Sequence, residues 1–244
     1  YAISASWLGI VWLFFSTLII YEIIKLFIKI PTPLAGILII SIVTALTIYS
    51  MVNAQLIKIK KITIPAAIDA KIVQLSDIHI GSVSTSFLKR IIDKTNSLDP
   101  EMVLITGDLV DNFNDTTQKA LALLKNFNAP VFFVTGNHEK YVGKDKVIKA
   151  LEAANLTVLR NEKTVQGPLQ IIGLDYNDKD NHLAQTIKNL DIDTQKFSIL
   201  MYHKPVELTK LATTGINLTL TGHTHAGQIF PFNFVVKFFY PYLT

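Results

Sequence analysis

The 244-residue sequence contains no cysteine, which excludes disulfide frameworks and thiolate metal sites. Charge is also scarce. Only 17% of residues are charged while 50% are hydrophobic, more than one soluble core of this size requires. Residues 1–61 hold five lysines and one glutamate, whereas the remainder balances 18 basic against 18 acidic residues, so the net charge of +4 belongs to the N-terminal end. No basic stripe with interleaved aromatics is present, and a nucleic-acid partner is not expected.

Charged side chains are missing altogether from residues 1–21 and 31–57. An apolar run of about 20 residues is what a helix needs to cross roughly 30 Å of hydrocarbon. Two membrane helices are therefore predicted, at about 2–28 and 33–54, and the lipid bilayer is the expected partner of residues 1–57. A signal peptide is disfavoured because no small-residue cleavage site comes after a basic start and a second apolar run stands directly after the first. Glu22, Lys25 and Lys29 share one helix face between the runs. Lys58, Lys60 and Lys61 open a basic connector, residues 58–70, where they can anchor a helix end against anionic lipid. The distribution of lysines favours the cytoplasmic face for the domain C-terminal to this connector. Neither run carries an ionisable residue, so both read as anchors rather than as a transport pathway.

From residue 71 to 244 the pattern changes to short runs rich in Val, Ile and Phe, alternating with stretches of helical period. That alternation predicts an α/β domain, a layered β-sheet flanked by helices. Strands are expected at 71–75, 102–106, 131–135, 169–174, 197–202 and 216–221. Helices are expected at 86–97, 116–127, 144–154, 181–190 and 206–212.

Five of these strands run into side chains that bind metals: KIVQLSDIH, EMVLITGDLVD, PVFFVTGNHE, FSILMYHKP and INLTLTGHTHAG. The carboxyl ends of strands in an open α/β sheet form the usual binding crevice, so five distant segments are expected to converge. Five of the six histidines, His79, His138, His203, His223 and His225, lie in these segments, with Asp77, Asp108 and Asn137 beside them. His182 lies outside and reads as an ordinary core or surface histidine. Asp77 and His79 are one residue apart, as are His223 and His225, so each pair can point to one side of an extended strand end. Gly107, Gly136 and Gly222 each precede one of these residues, where the backbone must turn sharply. The mixed imidazole, carboxylate and amide set suits Mn, Fe or Zn rather than an all-oxygen Ca or Mg cage.

The ordered series Asp77-x-His79, Gly107-Asp108, Gly136-Asn137-His138-Glu139, His203 and Gly222-His223-x-His225 resembles the motif set of calcineurin-like metallophosphoesterases. The continuation Ala226-Gly227-Gln228-Ile229 and the apolar hairpin are similar to a membrane-associated bacterial branch, which includes enzymes that cleave the pyrophosphate of a UDP-linked diacylated glucosamine. The resemblance implies two divalent transition-metal ions. Asp77, His79 and His225 would hold one, Asn137, His203 and His223 the other, and Asp108 would bridge them. His138 would serve as the catalytic acid beside the metals, since adjacent side chains diverge and Asn137 can face a cation while His138 faces substrate. The implied activity is hydrolysis of a phosphoester or pyrophosphate bond, with a lipid-linked or nucleotide-linked amphiphile as the expected substrate. A soluble phosphodiester and a non-catalytic metal-binding scaffold are the alternatives. The family continues with further strands beyond this block, so the domain is expected to run past Thr244. The last segment holds Phe230, Phe232, Phe234, Phe238, Phe239, Tyr240 and Tyr242. It reads either as a core strand or as an apolar lip facing the bilayer.

Overall fold

The computed structural model describes residues 2–179, 182–227 and 232–240. The chain divides into two compact units, Tyr1–Ile62 and Thr63–Thr244. In the first, helices α1 (Ala2–Lys25) and α2 (Thr32–Ala54) pack on each other. Pro31 precedes the start of α2, and its fixed φ leads into the first turn. Ala35 and Val43 are buried along α2, while Trp7, Leu8, Phe15, Ile37, Ile40 and Ile48 are exposed. Both helices are long and apolar enough to cross a membrane.

In the second unit, β1 (Ile72–Leu75), β2 (Met102–Ile105), β3 (Val131–Phe133) and β4 (Thr157–Val158) form an all-parallel sheet in that order. A second sheet runs β5 (Glu162–Gln166), β6 (Leu169–Gly173), β7 (Phe197–Met201) and β8 (Leu218–Leu220). Its β5–β6 pair is antiparallel, and the others are parallel. Alternation along the strands splits the core into layers. Met102, Leu104, Phe132 and Val134 pack with Leu169, Ile171, Ile199 and Met201 between the sheets. Val103, Ile105, Val131 and Phe133 face the other way, onto α3 (Thr85–Asn96), α4 (Asp115–Leu121) and α6 (Lys144–Ala153). Behind the second sheet, Ile172 and Leu200 meet α7 (Leu183–Lys188) and α8 (Leu208–Leu211). The result is the layered α/β domain expected from the alternation, with two sheets at its centre.

Capping sets several boundaries. Ser84 accepts the Phe87 N–H at the start of α3, and Asn114 accepts that of Thr117 at the start of α4. The helix expected at 116–127 tightens into a 3-10 turn from Ala122 onward. Helix α5 (Asn137–Val142) and the edge strand β5 were not expected. The core-strand reading of the terminal aromatic segment is corrected. Residues Phe232–Phe239 form a helix, α9, on which Phe234, Val235, Phe238 and Phe239 are exposed. A run of aromatics at one face's spacing fits helix or strand equally well, and period alone does not separate them. Ile229, Phe230 and Tyr242 lie outside the described residues.

Candidate metal centre

The register of the strands determines where the site forms. Leu75 pairs with Ile105 at the ends of β1 and β2. Beyond them the Asp77 and His79 N–H groups donate to the carbonyls of Gly107 and Asp108, so two loops run side by side past the sheet edge. From the other sheet, the Tyr202 N–H donates to Leu220 and the Gly222 N–H to His203, which aligns the ends of β7 and β8. Gln74 joins the two sheets, donating from Nε2 to Thr106 Oγ1 at 3.1 Å and to the Thr221 carbonyl at 2.8 Å.

These loops are tightly wound. Asp77, His79, Asp108, His223 and His225 all have positive φ, between 47° and 75°. Non-glycine residues adopt that region at a cost of order 1–3 kcal/mol each, and they persist there only where surrounding contacts over-determine them. Room for this winding comes from glycine. A Cβ at Gly136 would collide with the Asp108 carboxylate, and one at Gly222 with Ser76 and Asp77.

The expected site residues come together in two groups: Asp77, His79 and His225, and Asp108, His203 and His223. Asn137 Oδ1 lies 3.0 Å from His223 Nδ1 and belongs with the second. In the first, His79 Nε2 faces His225 Nε2 at 3.2 Å, and His225 Nε2 lies 3.3 Å from Asp77 Oδ1. In the second, His203 Nε2 lies 3.1 Å from Asp108 Oδ2 and 3.2 Å from His223 Nδ1.

The chemistry of these contacts tests whether cations fit. His203 Nδ1 is 2.7 Å from the Thr106 carbonyl, which can only accept, so Nδ1 carries the hydrogen. A neutral ring then turns its Nε2 lone pair towards the Asp108 carboxylate. His79 repeats the arrangement, with Nδ1 2.6 Å from Asp111 Oδ1 and Nε2 aimed at His225. Lone pairs that converge in this way repel unless a proton or a cation lies among them, and imidazole nitrogens with carboxylate oxygens are a donor set that divalent transition metals favour. The residues fit the metals their pattern implies.

Electrostatics reflect the same contacts. Burial pushes the Asp77 carboxyl up, but hydrogen bonds from His225 and Ser76 and the nearby His203 outweigh it and hold the group at about 2. Burial pulls the His203 ring down, yet the Asp108 carboxylate raises it above its usual range. For His79 burial is likewise overcome, there by Asp111. The His223 ring, with burial and the neighbouring His203 acting together, sits lower than usual.

His138 lies on the first turn of α5, one residue after Asn137, and is part-exposed. Its Nδ1 is 2.8 Å from Asp111 Oδ1, and its Nε2 lies 3.8 Å from Asp108 Oδ2. Asp111 thus holds both His79 and His138 through their Nδ1 atoms, and Ser82 donates to its second oxygen. Sequence reasoning missed this residue. A carboxylate behind a ligand imidazole fixes its tautomer and orientation, so the grouping of His79, Asp111 and His138 reads as hydrogen-bond wiring rather than a third cation position.

Glu139 was also missed. It is fully buried and accepts the N–H groups of Asp108, Leu109, Val110 and Gly136. Burial raises its pKa against the pull of these bonds. Its place next to His138 in the GNHE segment was the available signal. His182 lies apart from the two groups, with its ring 6.0 Å from that of Tyr202.

Comparison with known proteins agrees with this geometry. A model of the calcineurin-like phosphoesterase family matches residues 70–227. An uncharacterised metallophosphoesterase of Campylobacter jejuni is 38% identical over 69% of the chain and 47% of its own length. One from Aquifex aeolicus is 31% identical over 75% of each chain. A bovine relative named as a transmembrane protein with a metallophosphoesterase domain is 31% identical over 73% of this chain and 45% of its own. The chain spans about half the length of several of the curated relatives it matches.

Proposed function

The chain belongs to the calcineurin-like phosphoesterase family, and from that premise we propose that it is a membrane-anchored hydrolase of a phosphoester or pyrophosphate bond, acting on a lipid-linked or nucleotide-linked amphiphile. In this reading Asp77, His79 and His225 would hold one divalent transition-metal cation and Asn137, His203 and His223 a second, with Asp108 contributing to both. The observation that carries it is the convergence of two donor groups whose lone pairs face inward, with His138 beside both. When bound, the cations supply Lewis-acid polarisation of the phosphoryl oxygens and acidify the attacking water.

The chain's own residues do the rest. Asp111 receives the Nδ1 hydrogen of His138 and leaves Nε2 turned to the site. As water attacks phosphorus in line with the scissile bond and gives up a proton to solvent, the Nε2 proton passes to the leaving oxygen, and solvent then reprotonates the ring. Asp111 steadies the imidazolium before this transfer and keeps the ring aligned after it. Glu139 holds the Asp108 and Gly136 loops together, so the carboxylate and the acid stay in register.

The two apolar helices support an anchor in a bacterial membrane, and the lysines that flank them favour the cytoplasmic side for the catalytic unit. The exposed aromatic face of α9 supports an amphiphilic substrate, since Tyr240, directly after that helix, lies 6.3 Å ring to ring from the candidate ligand His223. The test is hydrolysis by the detergent-solubilised full chain of a panel of phosphomonoesters, phosphodiesters and nucleotide-linked pyrophosphates, with added manganese, iron or zinc. Metal-dependent turnover that vanishes on chelation is the expected result. No turnover on any member by a protein that binds metal would leave the scaffold alternative.

A further inference from the structure

Outside α9, Tyr141 is the one aromatic side chain of the second unit that is largely exposed among the described residues, at 70%. It sits three residues after His138 on α5, a spacing that places both side chains on one helix face. The two rings meet at 5.8 Å with a 54° tilt. His138 Nε2 lies 3.8 Å from Asp108 Oδ2, so an oxygen that it protonates lies beside the ring that Tyr141 borders.

A second ring stands nearby. Tyr176 comes after β6, donates its N–H to Thr135 Oγ1 at 3.0 Å, and packs against the His203 ring at 6.1 Å. His203 and His138 both face Asp108 Oδ2, at 3.1 Å and 3.8 Å, so the two tyrosines border one site. Lys140 pairs with Asp178 beside them and closes the polar rim. The largely exposed Tyr141 and the half-buried Tyr176 thus offer aromatic surface beside different histidines of that site.

We propose that Tyr141, backed by Tyr176, is a stacking subsite for a planar ring carried on the leaving group, and that the favoured leaving groups are those bearing a nucleobase or comparable aromatic ring. This rests on the hydrolase reading above and narrows its substrate class. Aromatic faces accept any planar base, so the subsite selects for a ring and not for a sequence of hydrogen-bond donors. Tyr141 acts through its ring rather than its hydroxyl, and the hydroxyl is dispensable.

The experiment compares the detergent-solubilised full chain with its Tyr141→Ala and Tyr141→Phe variants on two phosphodiesters, methyl benzyl phosphate and methyl cyclohexylmethyl phosphate, whose leaving alcohols are similar in size and acidity. The expected wild-type preference in kcat/KM for the benzyl compound is roughly 5-fold to 100-fold, the range that stacking one ring supplies. Tyr141→Phe keeps that ratio, and Tyr141→Ala brings it close to one. An independent readout is equilibrium binding of a nucleoside 5′-monophosphate against ribose 5-phosphate, where the nucleotide's advantage should be lost in Tyr141→Ala and kept in Tyr141→Phe. A ratio near one in the wild type, or one untouched by Tyr141→Ala, overturns the subsite while the hydrolase reading stands. Absence of metal-dependent hydrolysis of both diesters and of every member of the panel above, with the nucleotide still preferred in binding, instead overturns the hydrolase reading and retains a ring-binding site.

Discussion

His138 and Asp111 share a single short contact, and the division of labour between them can be measured. If His138 donates the proton, His138→Ala should lower kcat by about 100-fold to 10,000-fold, the usual worth of a positioned acid, while metal content stays near that of the wild type. Asp111→Asn should cost less in turnover, about 10-fold to 100-fold, and should also weaken metal affinity, because Asp111 orients His79 as well. At saturating metal, the double variant should be no slower than His138→Ala alone, since both changes then act on one proton. Steady-state kinetics with metal analysis on the same samples checks all three. Equal loss of metal and activity in His138→Ala would make it a ligand instead. Asp108 differs from both because its carboxylate touches the second donor group and receives the His138 N–H at 2.9 Å. Asp108→Asn should lower the content of both cations together from two per chain, read by elemental analysis of the folded protein.

At the scale of elements, the site depends on a buried carboxylate that itself faces no cation. Glu139 takes four backbone N–H groups from two loops. Removing an acceptor from buried donors costs about 1–3 kcal/mol for each one left unmade, so Glu139→Ala should destabilise the fold by at least about 3 kcal/mol. Thermal unfolding of the detergent-solubilised chain checks this, and an unchanged midpoint would mean that the loops hold without it. A second link joins the end of β6 to α6. Asp175 accepts Lys144 Nζ at 2.6 Å and the Thr135 hydroxyl at 2.5 Å. Burial raises the Asp175 carboxyl, but these partners and Arg160 pull it below its usual value. A depressed folded-state pKa means that the unfolded chain binds the proton more readily, so the stabilisation is present above roughly pH 4 and fades as pH falls below it. Asp175→Asn should flatten that part of the acid unfolding curve. A curve of unchanged slope would show that the link contributes nothing.

The strands, and the gathering of the candidate site residues at their ends, were legible in the sequence because both are written locally: a run of β-branched residues, then a glycine or an aspartate where the run stops. Strands expected at 102–106 and 197–202 emerged at Met102–Ile105 and Phe197–Met201. Asp111 and the longer reach of Glu139 were not legible, because each acts on residues about thirty positions away, and only the bond from Gly136 to Glu139 lies within one short segment. The aromatic end of the chain misled for the opposite reason. Its composition favours a strand, and only packing decides that Phe232–Phe239 winds into a helix.

Over the whole molecule, the charge pattern, the two apolar helices and the exposed face of α9 bear on one question, which is whether the substrate is itself in a membrane. A hydrolase tethered by its own chain to a bilayer meets lipid-borne substrates at a greatly raised effective concentration and gains little against dissolved ones. The basic connector after α2, with Lys58, Lys60 and Lys61, would hold the tether's end at an anionic surface. Phe234, Phe238 and Phe239, at 61%, 82% and 69% exposure, form an aromatic face suited to headgroup depth. If that face guides acyl chains towards the metals, an acylated nucleotide-linked pyrophosphate should be hydrolysed with a kcat/KM at least about 10-fold above that of its deacylated counterpart, since each buried methylene is worth about 0.8 kcal/mol. Phe238→Ser should erode that advantage and leave the deacylated compound unaffected, because Phe238 is the most exposed of the three. Both substrates are assayed at equal bulk concentration, the acylated one with chains short enough to stay dissolved, which removes the tethering gain and isolates contact with the chains. Equal values for the two compounds would leave a dissolved phosphodiester or pyrophosphate as the substrate, and would give the aromatic face of α9 some other cover than lipid.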